Sequence, residues 1–245
     1  MEKLEEAHAM HVELNGEDHS DVVDVLGNMA ILLSDQGKCA EGLAIHQKVL
    51  DIRRRTLGSD CDEVACSLLI LGCNYSEQGM LDEALPKLEE GLEIVRRIHP
   101  ERNAMEGSFL AQIGNVHSQQ GRLEDALAWY RKAYRILRKT MGPGSVDVAS
   151  LMINMGNAFR KQGKVGEAME KYEGALAIQL LAHGDMHPGV AHSRYALAMC
   201  KKEAGDVQGA VEGLREAKRI LRSMGISHSV AVSVDDALQM LGVGT

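Results

Sequence analysis

Aromatic residues are scarce in this chain: one Trp, five Tyr and two Phe make up 3% of its 245 residues. A core this poor in rings must be filled by Leu, Met and small residues, which suits packed helices better than sheets. Prolines number four, so little prevents long helices. No apolar run reaches the ~18 residues that a membrane-spanning helix needs. The N-terminal stretch "MEKLEEAHAMHVEL" is charged and helical in pattern, which is not the pattern of a secretion signal. The five cysteines are Cys39, Cys61, Cys66, Cys73 and Cys200. An odd count in a chain of this size points to reduced thiols and a cytoplasmic setting.

Chemistry-bearing motifs are missing as well. The sequence has no P-loop, no Gly-x-Ser-x-Gly elbow, no His-Glu-x-x-His and no Cys-x-x-Cys. His8 and His11 lie three apart on a helix, a spacing that could share a metal, yet an ordinary helix surface explains them better. No catalytic residue, cofactor or metal is therefore expected. The net charge of −8 argues against general nucleic-acid binding. Residues 1–100 carry 20 acids against 9 bases, whereas residues 101–245 carry 15 acids against 18 bases. That asymmetry bears on partners rather than on fold.

What the chain does have is a refrain. "SDQGKCAEGL", "SEQGMLDEAL", "SQQGRLEDAL", "RKQGKVGEAM" and "KEAGDVQGAV" place Gly37, Gly79, Gly121, Gly163 and Gly205 at a constant spacing of 42. Gly42, Ala84, Ala126, Ala168 and Ala210 keep the same register, as do Ala30, Gly72, Gly114, Gly156 and Ala198. Small residues at fixed places let helix backbones approach closely, and a period of this length is the mark of a repeat array. Each unit reads as helix A, a turn at the glycine, helix B and a linker. The turn glycine supplies a left-handed C-terminal cap to helix A. A second punctuation, Gly16, Gly58, Pro100, Gly142 and Gly184, separates the units. Pro86 is expected near the start of helix B, where a missing N–H costs least.

The stretch "LGNMAILLSDQGKCAEGLAIHQKVLDIRRRTLGSD" and its four copies resemble the tetratricopeptide repeat, in the 42-residue form of kinesin light chains. The resemblance covers nearly the whole chain and implies an all-α fold, a right-handed α-solenoid of antiparallel helix pairs. It implies a single array over 1–245. Full repeats are expected at 21–57, 62–98, 105–140, 146–182 and 188–224, with half-repeats at 2–14 and 229–241. The large aromatics of the family are mostly absent.

In this family helices A line the concave face. Stepping at about 100° per residue gives the face of each helix A turned away from helix B. The candidate peptide-binding residues there are Asn28, Ile31, Asp35, Ile70, Cys73, Gln112, Asn115, Gln119, Asn154, Asn157, Arg160, Lys161, His192, Met199 and Lys202. A carboxamide both donates and accepts, so the amides suit an extended peptide backbone, and relatives use an asparagine ladder in this way. Ile31, Ile70 and Met199 offer small apolar pockets. The bases at one end would draw acidic side chains, as kinesin light chain grooves do. Trp129 has Ile45, Lys87, Lys171 and Gly213 as its counterparts, which is the variability of an outer position.

The expected function is a non-catalytic scaffold that binds a peptide or partner segment in the groove. A second reading is self-association or targeting through the terminal half-repeats. A third makes the chain the regulatory array of a larger enzyme or nucleotide-switch protein.

Overall fold

The structure, a computed structural model, describes residues 1–225 and 229–242, with 229–231 described by backbone alone. Twelve helices and no strand occur among the described residues. They are α1 (Glu2–Asn15), α2 (Ser20–Asp35), α3 (Cys39–Leu57), α4 (Asp62–Glu77), α5 (Leu81–Ile98), α6 (Ala104–Gln119), α7 (Leu123–Thr140), α8 (Val146–Lys161), α9 (Val165–His183), α10 (Pro188–Glu203), α11 (Val207–Ser223) and α12 (Ser229–Met240). They fall into two compact units, residues 1–121 and 122–245. In the first unit α1 to α6 pack each on the next; in the second, α7 to α12 do the same.

The turn glycine does what its register implies. Gly37 has φ +76°, and its N–H bonds the Ser34 carbonyl while the Lys38 N–H reaches back to Leu33 at 2.8 Å. Those two bonds are a Schellman closure, which satisfies carbonyls that the helix end would otherwise strand. Met80, Lys164 and Asp206 make the same long bond, to Tyr75, Phe159 and Lys201. The residue that closes helix A is also the N-cap of helix B, so the chain reverses within three residues.

Helices A begin on a second fixed place: His19, Cys61, Asn103, Ser145 and His187. Asn103 and Ser145 accept from Glu106 N and Val148 N at 2.9 and 3.2 Å. His19 and His187 use ring Nδ1 for the same task, accepting from Asp21 N and Gly189 N. These two linker histidines are helix caps.

The small residues set how close the helices come. A Cβ on Gly72 of α4 would lie 2.5 Å from Leu88 on α5. A Cβ on Gly91 would meet the ring of Phe109, the fully buried aromatic of α6. In the second unit a Cβ on Gly156 would lie 2.6 Å from the ring of Tyr172, which has no exposed surface. Rings therefore sit where the opposing backbone carries no side chain, and that close fit replaces aromatic stacking in this core.

Pro86 departs from expectation. It is the sixth residue of α5, beyond the first turn, so it removes one intrahelical hydrogen bond rather than an already unpaired N–H. Its side is solvent-exposed, and burial of Leu88, Leu92 and Val95 holds the helix through it.

Candidate peptide-binding face

In the first unit the expected residues lie on α2, α4 and α6. Asn28, Ile31 and Asp35 are exposed on α2. Ile31 leaves 57% of its surface open, and Ile70 on α4 leaves 42%. Both belong to the face opposite the buried stripe Val22, Leu26, Ala30 and Leu33 of α2 and Val64, Leu68 and Leu71 of α4. Cys73 is half-buried on α4, and burial pushes its thiol up to about 11, with Glu77 adding to the effect. It stays a neutral, weakly polar surface.

On α6 the amides meet protein before they meet anything else. Asn115 Nδ2 donates to Gln112 Oε1 at 2.8 Å, so these two half-buried side chains fix one another along the helix. Gln119 Nε2 donates to the buried Ser76 Oγ at 2.8 Å and ties α6 to α4. Gln112 has its amide N–H groups left for a ligand, and Gln119 its carbonyl.

In the second unit the face is charged and more closed. Asn154, Asn157, Arg160 and Lys161 lie on α8; His192, Met199 and Lys202 lie on α10. Asn157 Oδ1 accepts the hydroxyl of Tyr172 at 2.6 Å. Burial, with Cys200 next, pushes that phenol up to about 12, so it remains a hydrogen-bond donor. Arg160 also approaches the hydroxyl, and its Nη1 bonds Glu203 Oε1 at 2.8 Å. One polar network thus joins α8, α9 and α10.

Met199 is half-buried and packs on the cluster around Leu214, Val234 and Leu238, rather than walling an open pocket. His192 is half-buried, and burial holds its imidazole below the usual range. Lys161 is exposed and Lys202 half-buried.

The Asn157–Tyr172 pairing was not anticipated, yet the sequence carries a trace of it. The helix-B place of Tyr172 holds His46, Leu88, Tyr130 and Leu214 in other repeats, and fifteen residues earlier stand Ile31, Cys73, Asn115 and Met199. Asparagine occurs in that row only where tyrosine follows.

Elsewhere, the Lys132 ammonium lies 4.4 Å above the half-buried Trp129 ring on α7. His11 Nδ1 is 3.5 Å from Asp21 Oδ2. No helix among the described residues is long and apolar enough to cross a membrane.

A family model described as tetratricopeptide repeat matches residues 21–97, 106–180 and 147–223. Among solved structures, BtubC (BKLC) from P. vanneervenii superposes with TM-score 0.73 at 24% identity, over 93% of this chain and 90% of that one. A putative kinesin light chain from Podosopora anserina with nearly identical tetratricopeptide-like repeats gives 0.65 at 21%, over 82% and 96%. A point variant of that protein gives 0.67 at 21%, over 83% and 96%. At these identities the likeness is one of fold. No curated protein matches the sequence.

Proposed function

Since the chain belongs to the tetratricopeptide repeat family, we propose that it is a non-catalytic scaffold that binds an extended peptide or partner segment along the face of its helices A turned away from helices B, the face that is concave in the family. Repeats of this family generally mediate protein–protein interaction and are typically without catalytic activity. One observation carries the reading here: Ile31 and Ile70 stand 57% and 42% exposed on successive helices A, and the helix of Ile70 packs on α6, where Gln112 and Asn115 fix one another. Apolar side chains left open next to fixed donors suit a peptide that offers alternate side chains and a backbone. In the second unit Lys161 and Lys202 enter no ion pair with a described residue, and the proposal assigns them the attraction of acidic side chains. A reducing, cytoplasmic setting fits the five free cysteines.

The test is a peptide-display selection against the whole chain, followed by calorimetry on the peptides it yields. Ile31→Asp with Ile70→Asp should weaken them at least tenfold, about 1.4 kcal/mol, while the circular-dichroism melt stays put because both side chains are exposed. Unchanged affinity for every selected peptide refutes the assignment of this face.

A further inference from the structure

Helix α7 presents a stripe of one sign. Arg131, Lys132, Arg135, Arg138 and Lys139 are all exposed, and at about 100° per residue they fall within ~120° of arc. None enters an ion pair with a described residue. The equivalent bases of the first two repeats are neutralised: Arg54 by Glu90, Arg55 by Asp18, Arg96 by Glu106 and Arg97 by Asp60. Forty-two residues after Arg96 and Arg97, Arg138 and Lys139 have no such partner. Trp129 borders the stripe, half-buried under Lys132.

Helix α1 presents the complement. Glu2, Glu5, Glu6 and Glu13 are exposed, fall within ~100° of arc, and likewise enter no ion pair with a described residue. Met10 and Leu14 flank them, 60% and 72% exposed, and α1 buries no residue in the fold. At ~1.5 Å per residue the acidic stripe runs ~16 Å and the basic stripe ~12 Å, so the lengths are comparable. Opposite single-sign stripes steer association and fix its register more than they strengthen it.

We propose that this chain associates with a second copy of itself through the acidic stripe of α1 on one molecule and the basic stripe of α7 on the other. The association is weak and salt-sensitive, because solvent-exposed ion pairs contribute little each and are screened. Neither stripe belongs to the face assigned to peptide binding, so the two proposals stand or fall separately.

The experiment is sedimentation velocity over a concentration series. At about 0.01 M salt, where the Debye length is ~30 Å, the weight-average sedimentation coefficient should climb with concentration; at about 1 M, where it is ~3 Å, the climb should vanish. Arg131→Glu with Arg135→Glu should abolish the climb, and so should Glu5→Lys with Glu6→Lys. An equimolar mixture of the two variants should recover paired molecules, since the unaltered acidic α1 of the arginine variant then meets the unaltered basic α7 of the glutamate variant, a rescue that misfolding could not produce. Thermal melts check both variants, and Arg138→Ala with Lys139→Ala replaces the first if it melts early. A single non-associating species at low salt, association that persists in either variant, or a mixture that fails to associate would each overturn the proposal.

Discussion

The hydrogen bond from Tyr172 to Asn157 should be costly to break in the second unit. Tyr172 has no exposed surface and its hydroxyl donates to Asn157 Oδ1 at 2.6 Å. Asn157→Ala removes the acceptor. Arg160 cannot replace it, because a guanidinium only donates, so a buried O–H is left unpaired at a cost of about 1–3 kcal/mol. The better helix propensity of Ala returns ~0.5 kcal/mol of that. Tyr172→Phe should cost less, ~0.5–1.5 kcal/mol, since half-buried Asn157 can turn its carbonyl to water. With both changes there is no orphan group, so the double variant should be more stable than the sum of the singles implies, by about 1 kcal/mol. Urea unfolding followed through Trp129 is a suitable assay, because the single tryptophan lies on α7, which packs on α8. Additive costs, within ~0.5 kcal/mol, would show that the hydroxyl and the amide are not coupled. The result bears on function too. If Asn157 is coupled as argued, a binding loss in Asn157→Ala reports fold as well as contact, and the exposed isoleucines of the first unit are the cleaner probe.

Two further predictions follow from packing and burial. Gly91→Ala puts a methyl on the buried ring of Phe109 and should destabilise by about 1–3 kcal/mol of overpacking, less ~1 from helix propensity. Gly27→Ala, with nothing within 4 Å of the new methyl, should stabilise by ~0.5–1 kcal/mol; thermal melts that rank the two the other way would contradict the packing argument. Burial lowers the His46 and His192 imidazoles in the folded chain. The unfolded chain therefore binds more protons below the usual His value of about 6.5. Stability should be full above that pH and fall as pH drops through it toward the lowered folded values. Replacing His46 by Leu should flatten that part of the denaturation profile; an unchanged slope would rule out the buried ring as its source.

The architecture was legible because its determinants are local and repeated. A glycine every 42 residues can be read from the letters, and its φ of +74° at Gly79 and +77° at Gly121 is what a Schellman turn requires. The same register gives the face of each helix A by counting. Pro86 departs from expectation because the register marks the turn glycine and not the first helical residue: α5 begins at Leu81, which leaves the proline inside the hydrogen-bonded ladder. The site was less legible, because counting shows where a side chain points but not what already occupies its polar atoms.

A rule that crosses repeats supplies part of what was missing. Gln119 bonds Ser76, and Arg160 bonds Glu203, each over a separation of 43. The two bonds join the same pair of places: the last turn of one helix A and the residue one step further on the next. In one case the donor is an amide and the acceptor a hydroxyl; in the other, a guanidinium meets a carboxylate. The chemistry varies while the geometry is kept, which is expected of a stitch between neighbouring repeats, each of which contacts only its neighbours. The two rows nearest the turn thus contribute to cohesion before they contribute to recognition. Asparagine at 157 serves cohesion as well, within its own repeat. The surface left open for a partner is therefore narrower than the set of residues that point toward it. On the function proposed, it centres in the first unit on Ile31 and Ile70, whose apolar side chains stay 57% and 42% exposed.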